Sequence, residues 1–225
     1  MTGLSSYFSR RRISILLLSV IWCLSHPVSA MAGNITFKIV DQNGEPAINT
    51  VVSLSNPDTS GSAAPGTEAV MDQVERQYSP FILPIQTGTL VRFPNWDEIK
   101  HHVYSFSTAK RFELKLYSGK NASPVLFDKP GEVALGCNIH DWMLGYIYVV
   151  DTPYFALVDS NGRAELRNLP DGKYTATLWH PGLRSSGSEQ DLTVMIQDDK
   201  NMLKSLTIKI KQVKQPYAPM GEGEY

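Results

Sequence analysis

From Ile35 onwards the chain alternates apolar and polar residues in short runs, and Gly, Pro, Asn or Asp interrupts almost every run within roughly ten residues. A period of two places every second side chain on one face of a strand, whereas no stretch carries the wider stripe of a helix. Strands are expected at 35–40, 48–55, 69–76, 89–94, 101–107, 112–117, 132–137 and 143–150. A second series is expected at 154–158, 163–166, 173–179, 191–196 and 203–210. Asp41-Gln42-Asn43-Gly44 and Asp159-Ser160-Asn161-Gly162 have the composition of tight turns. Residues 56–66 (NPDTSGSAAPG) have that of a linker or long loop. The fold class predicted is all-β, built as sandwiches. With 42% hydrophobic residues, 10 Tyr, 8 Phe and 4 Trp among 225, and only 19% charged, the chain is neither disordered nor a coiled coil.

The first thirty residues follow another plan. Arg10, Arg11 and Arg12 precede the apolar run 13–24, and small residues then offer cleavage after Ala30 or Ala32. This is the three-part pattern of a secretory signal peptide, assigned to 1–32, and the run is shorter than the ~20 residues that span a bilayer. Cleavage removes three of the 21 basic residues and none of the 22 acidic ones. The mature chain is then net negative, with no electrostatic case for nucleic acid or an anionic membrane. No membrane anchor is expected after cleavage, and the expected compartment is the periplasm.

Cleavage also removes Cys23, leaving Cys137 as the single cysteine. A lone thiol in an oxidising compartment invites oxidation unless it is buried or metal-bound. Its neighbours point to metal. Cys137, His140 and Met143 fall at Cys-x2-His-x2-Met within one loop, and His101 and His102 lie about thirty-five residues upstream. One upstream imidazole added to that loop makes a His2Cys trigonal set with a weak axial thioether, the donor set of a blue-copper electron-transfer site. Zinc sites more often show several Cys or His in paired spacings. A strand alternates its faces, so only one of His101 and His102 can face the metal. His101 is preferred, with His102 as the alternative. Asp97 and Asp141 read as solvated loop residues.

At these residues the chain resembles the cupredoxins. Asn95 stands six positions before His101, as in plastocyanin-like proteins, and Cys-x2-His-x2-Met followed by x-Gly is the amicyanin type. The stretches FPNWDEIKHHVYSFS and GCNIHDWMLGYIYVVD look most like the cupredoxin domains of methylamine-utilisation proteins. The resemblance spans 67–150 and implies a Greek-key sandwich holding one type 1 copper ion through His101, Cys137, His140 and Met143. It also implies single-electron transfer with transient redox partners, a quinoprotein or a cytochrome. Cupredoxins commonly place Asn after the upstream histidine. Here His102 stands instead, which removes a side-chain tether and leaves its backbone N–H to donate towards the Cys137 sulfur. By the same resemblance His140 would be the solvent-edge imidazole, within an apolar patch of Ile139, Trp142 and Leu144.

The outer segments, 33–57 and 152–211, resemble the two halves of a carboxypeptidase regulatory-like sandwich. The resemblance rests on IVDQNGEPA with VVSL, and on VDSNGRAEL with NLPDGKY. The expected organisation is therefore a small split sandwich with the copper domain inserted, followed by a flexible tail at 212–225. Long loop insertions cost little closure entropy. Enzyme classes fare poorly on ligand arithmetic. The mature chain has His101, His102, His140 and His180, too few for a further copper centre beside the proposed one, and it lacks the second cysteine of a dinuclear copper site. A non-catalytic, monomeric electron carrier is expected. Copper delivery without electron transfer, and a metal-free structural sandwich, are the alternatives.

Overall fold

The computed structural model describes residues 32–183, 189–197, 201–211 and 213. Residues 1–31 of the signal peptide predicted above, and most of the tail, lie outside the described residues. Strands in chain order are β1 (Ala32–Val40), β2 (Val51–Ser55), β3 (Glu68–Val70), β4 (Asp72–Val74), β5 (Gln77–Ser79) and β6 (Ile82–Gln86). There follow β7 (Thr89–Arg92), β8 (His101–Ser105), β9 (Phe112–Tyr117), β10 (Val125–Phe127), β11 (Gly131–Cys137) and β12 (His140–Val150). The remainder are β13 (Phe155–Leu157), β14 (Arg163–Pro170), β15 (Gly172–Trp179), β16 (Glu189–Ile196) and β17 (Asn201–Thr207). Among the described residues there is no helix, so the all-β expectation holds.

Strands from the two ends of the chain pair with one another. β1 lies between β14, antiparallel, and β17, parallel, while β2 lies between β13 and β15, with β16 beyond. The alternation in β1 sends Ile35, Phe37 and Ile39 inward at 0% exposure, against Val52, Leu54, Ala176 and Leu178. The middle of the chain builds a five-stranded sheet in the order β6-β12-β11-β8-β9 and a three-stranded sheet in the order β10-β7-β3. Val91, Phe93, Val103, Phe127, Val133, Leu135, Ile147 and Val149 pack into a second core, which includes Cys137 and Met143.

A third cluster joins residues from both series. Trp179 of β15, fully buried, stacks on Tyr148 of β12 at 4.6 Å with ring planes 8° apart. It meets Tyr146 edge-on at 6.0 Å, and its indole N–H donates to Glu132 Oε2 at 3.1 Å. Val51, Phe81, Ile82 and Val150 complete this cluster. Its β12 members sit on the opposite face of the strand from Ile147 and Val149, as strand parity requires.

Local departures from the expected strands have physical causes. The run expected at 69–76 is β3 followed by β4, and the chain then turns through Glu75 and Arg76 into β5. Strand β6 pairs in parallel with β12 at the sheet edge, where Pro84 is tolerated.

Candidate metal centre

Strands β11 and β12 form a hairpin whose register runs Leu135↔Gly145 and Gly136↔Leu144, then slips by a bulge to Cys137↔His140. Only Asn138 and Ile139 separate the last pair, so the sequence spacing becomes side-by-side placement. Two glycines let the chain pack here. A Cβ on Gly136 would lie 2.7 Å from the Tyr104 ring, and one on Gly145 would lie 2.7 Å from the Cβ of Tyr78.

Strand β8 settles which upstream histidine faces inward. His101, Val103 and Ser105 are buried, and Val103 belongs to the core, so His102 must point to the other face. There His102 Nε2 bonds Glu113 Oε1 at 2.8 Å and the ring lies against Tyr104. His101 Nδ1 lies 3.1 Å from His140 Nδ1. The Cys137 sulfur lies 3.8 Å from the first of these nitrogens and 3.6 Å from the second. His101, Cys137 and His140 are 0%, 3% and 8% exposed. Met143, 2% exposed, is buried in the same packed cluster as Cys137.

A triangle with those three edges has its centre about 2.0 Å from each corner, the length of a metal–imidazole bond and close to that of a metal–thiolate bond. The donor chemistry agrees, since two imidazoles and a soft thiolate suit copper. His101, Cys137 and His140 therefore fit a single ion of that kind.

Charge is distributed to match. Burial pushes the Cys137 thiol up, but the His101 imidazole and the backbone N–H groups of His102 and Ile139 outweigh it and leave the thiol below its ordinary value. Burial pulls His101 down, yet Cys137 and Asp97 reverse that and leave it above its ordinary value. Burial and the positive charges of His101 and Arg76 depress His140.

Asp97 corrects the sequence reading. Instead of standing in solvent, its carboxylate accepts His101 Nε2–H at 2.7 Å. With the proton on Nε2, the Nδ1 lone pair is left bare towards Cys137 and His140, the task a carboxylate performs for a ligating imidazole. The loop carrying Asp97 is itself pinned. Asn95, 2% exposed, donates to the carbonyls of Ile99 (2.8 Å) and Tyr117 (3.2 Å), and accepts the Asp97 N–H (2.9 Å). Trp96, between these two, is 55% exposed, but its indole N–H bonds Asp72 and the Lys120 ammonium lies 3.1 Å over its ring. Of the apolar patch expected around His140, Ile139 is exposed and Trp142 half-buried with its ring 5.3 Å from that of His140. Leu144 instead packs towards the Trp179 cluster.

No family model matches the chain, and no curated protein matches it. Solved structures do. A copper-containing nitrite reductase from Thermus scotoductus SA-01 is similar at 24% identity and a TM-score of 0.35, over 40% of this chain and 25% of that one. An oxidised methionine-to-leucine variant of amicyanin aligns at 18% identity and 0.34, over 44% of this chain and 99% of that one. A purple cupredoxin from Nitrosopumilus maritimus aligns at 22% and 0.33, over 37% and 99%. This chain thus spans a quarter of the nitrite reductase and nearly all of the two smaller proteins. These neighbours are cupredoxins at low identity, matched over part of this chain.

Proposed function

We propose that this chain is a type 1 copper protein of the cupredoxin kind, passing single electrons between redox partners in the periplasm. The observation that carries this reading is the buried donor triangle of His101 Nδ1, His140 Nδ1 and Cys137 Sγ, with edges of 3.1, 3.6 and 3.8 Å. His101, Cys137 and His140 would hold the ion, with Met143 as the weak fourth donor. Bound there, copper supplies a one-electron couple. The chain's own contribution is rigidity. Three strands, β8, β11 and β12, and one pinned loop fix the donors, so little rearrangement accompanies a change of charge.

His140 is the least buried of the three and lies beside the exposed Ile139, so electrons would leave through its edge. Trp96, exposed yet held by Asp72 and Lys120, is a rigid anchor of the kind small transient interfaces use. In this reading the partners are quinoproteins or cytochromes, a methylamine-utilisation pathway is one setting for them, and the carrier works as a monomer. The segments 33–57 and 152–211 are then a split regulatory-like sandwich that supports the copper domain 67–150 and has no catalytic part.

Titrating the purified mature protein with Cu(II) tests this. One equivalent should produce an intense blue thiolate-to-copper band that bleaches and returns through repeated reduction and oxidation, and that Cys137→Ser abolishes. Rapid loss of the copper to a recipient apoprotein would point to delivery instead. No uptake would leave a structural sandwich.

A further inference from the structure

The β4–β5 hairpin turns through Glu75 and Arg76, both at positive φ, 54° and 58°. A two-residue turn of this hand favours Asn-Gly, because a Cβ resists the left-handed region. Glu-Arg holds the shape only where surroundings impose it. What imposes it is Asp97. The Glu75 N–H donates to Oδ1 at 2.7 Å and the Arg76 N–H to Oδ2 at 2.9 Å. The same Oδ2 accepts His101 Nε2–H.

The body of the hairpin is fastened separately. Gln73, 0% exposed, donates its N–H to the Pro94 carbonyl and accepts the Trp96 N–H, each at 2.9 Å. Tyr78 packs against Gly145, and its hydroxyl donates to the Gly136 carbonyl at 2.9 Å, one residue from Cys137. The hairpin therefore reaches the donor triangle along two routes, through Asp97 to His101 and through Gly136 to Cys137.

We propose that the hairpin 72–79 is a clamp that fixes the metal-facing orientation of His101, with Glu75 and Arg76 as positioning residues acting through their backbone amides. A carboxylate held by two amides cannot rotate away from the imidazole, so the ring keeps its bare nitrogen towards the other donors. This rests on the copper reading above for its consequence, but the clamp itself exists in the metal-free chain.

The test has two arms. In metal-free protein, amide hydrogen exchange should show Glu75 and Arg76 protected, and Asp97→Ala should speed both by about tenfold or more. In the second arm copper binds wild type, Asp97→Ala, a two-glycine insertion between Glu75 and Arg76, and the two combined. The insertion should weaken copper affinity by about 10–100-fold and shift the absorption spectrum. The combination should be no weaker than Asp97→Ala alone. The substitution Glu75→Asn eases the turn and keeps both amides and the Arg76 charge, so affinity and spectrum should match wild type. Unprotected amides in wild type, an insertion that folds yet leaves affinity and spectrum unchanged, or an altered spectrum in the eased-turn variant would each overturn the clamp. Failure of wild type to take up copper overturns the copper reading instead, and the exchange arm still decides the clamp.

Discussion

Trp179→Ala should cost about 3–5 kcal/mol of folding stability. The side chain is fully buried where strands from the ends of the chain meet strands from its middle. A buried aromatic side chain covers about 150–250 Å², and at about 25 cal/mol per Å² that burial is worth roughly 4–6 kcal/mol. Compactness in the unfolded ensemble trims this by up to about 40%. The stacked contact with Tyr148 and the edge contact with Tyr146 add about 0.5–1.5 kcal/mol, and the Glu132 carboxylate loses its indole partner. Trp179→Phe keeps the stacking and loses the hydrogen bond, so it should cost about 1–2 kcal/mol. Urea unfolding followed by circular dichroism measures both. Neither substitution touches the cluster that contains Cys137, so copper affinity should be unchanged in the folded variants. A loss below about 1 kcal/mol for Trp179→Ala would refute the packing argument.

Three further outcomes follow from the same structure. His180 is 2% exposed, accepts the Gly182 N–H on Nδ1 and bonds the Ile48 carbonyl, and burial holds its pKa near 4 against an ordinary 6.5. The unfolded chain therefore binds more protons in that window, so stability should fall by up to about 3 kcal/mol as pH drops from 6.5 to 4. His180→Gln should flatten that slope, and equal slopes for the two proteins would contradict the assignment. Gly145→Ala places a Cβ 2.7 Å from Tyr78 and should cost about 1–3 kcal/mol, read from denaturant midpoints. It should also displace Tyr78 and so disturb the copper spectrum. The Arg92–Glu68 pair is bidentate but exposed, so Glu68→Gln should leave the denaturant midpoint nearly unchanged, at low and at high salt.

How far the fold was legible depended on what each residue had to do. Wherever one face of a strand is buried, as in Ile35, Phe37 and Ile39 or in Val133 and Leu135, alternation alone marked the strand. The Glu75-Arg76 turn was invisible because it lacks the Gly or Asn that such turns normally use, so the run expected at 69–76 ran through the turn and β5 beyond it was missed. Strand β6 was hidden by Pro84, which normally argues against a strand. In the candidate site, donor type and spacing pointed to Cys137 and His140 because a two-residue turn makes them neighbours. Choosing His101 over His102 needed strand parity, and parity needed the core position of Val103. Asp97 escaped because its partner is reached across a loop, and four-residue spacing carries no meaning there until the backbone of Glu75 and Arg76 is seen to enclose it.

The most direct measurement is X-ray absorption at the copper edge on protein loaded with one equivalent of metal. The account predicts one sulfur and two imidazole nitrogens in the inner coordination sphere, with the sulfur signal lost in Cys137→Ser and one imidazole lost in His101→Ala but not in His102→Ala. Copper bound without sulfur, or bound equally well with Cys137 replaced, would contradict it.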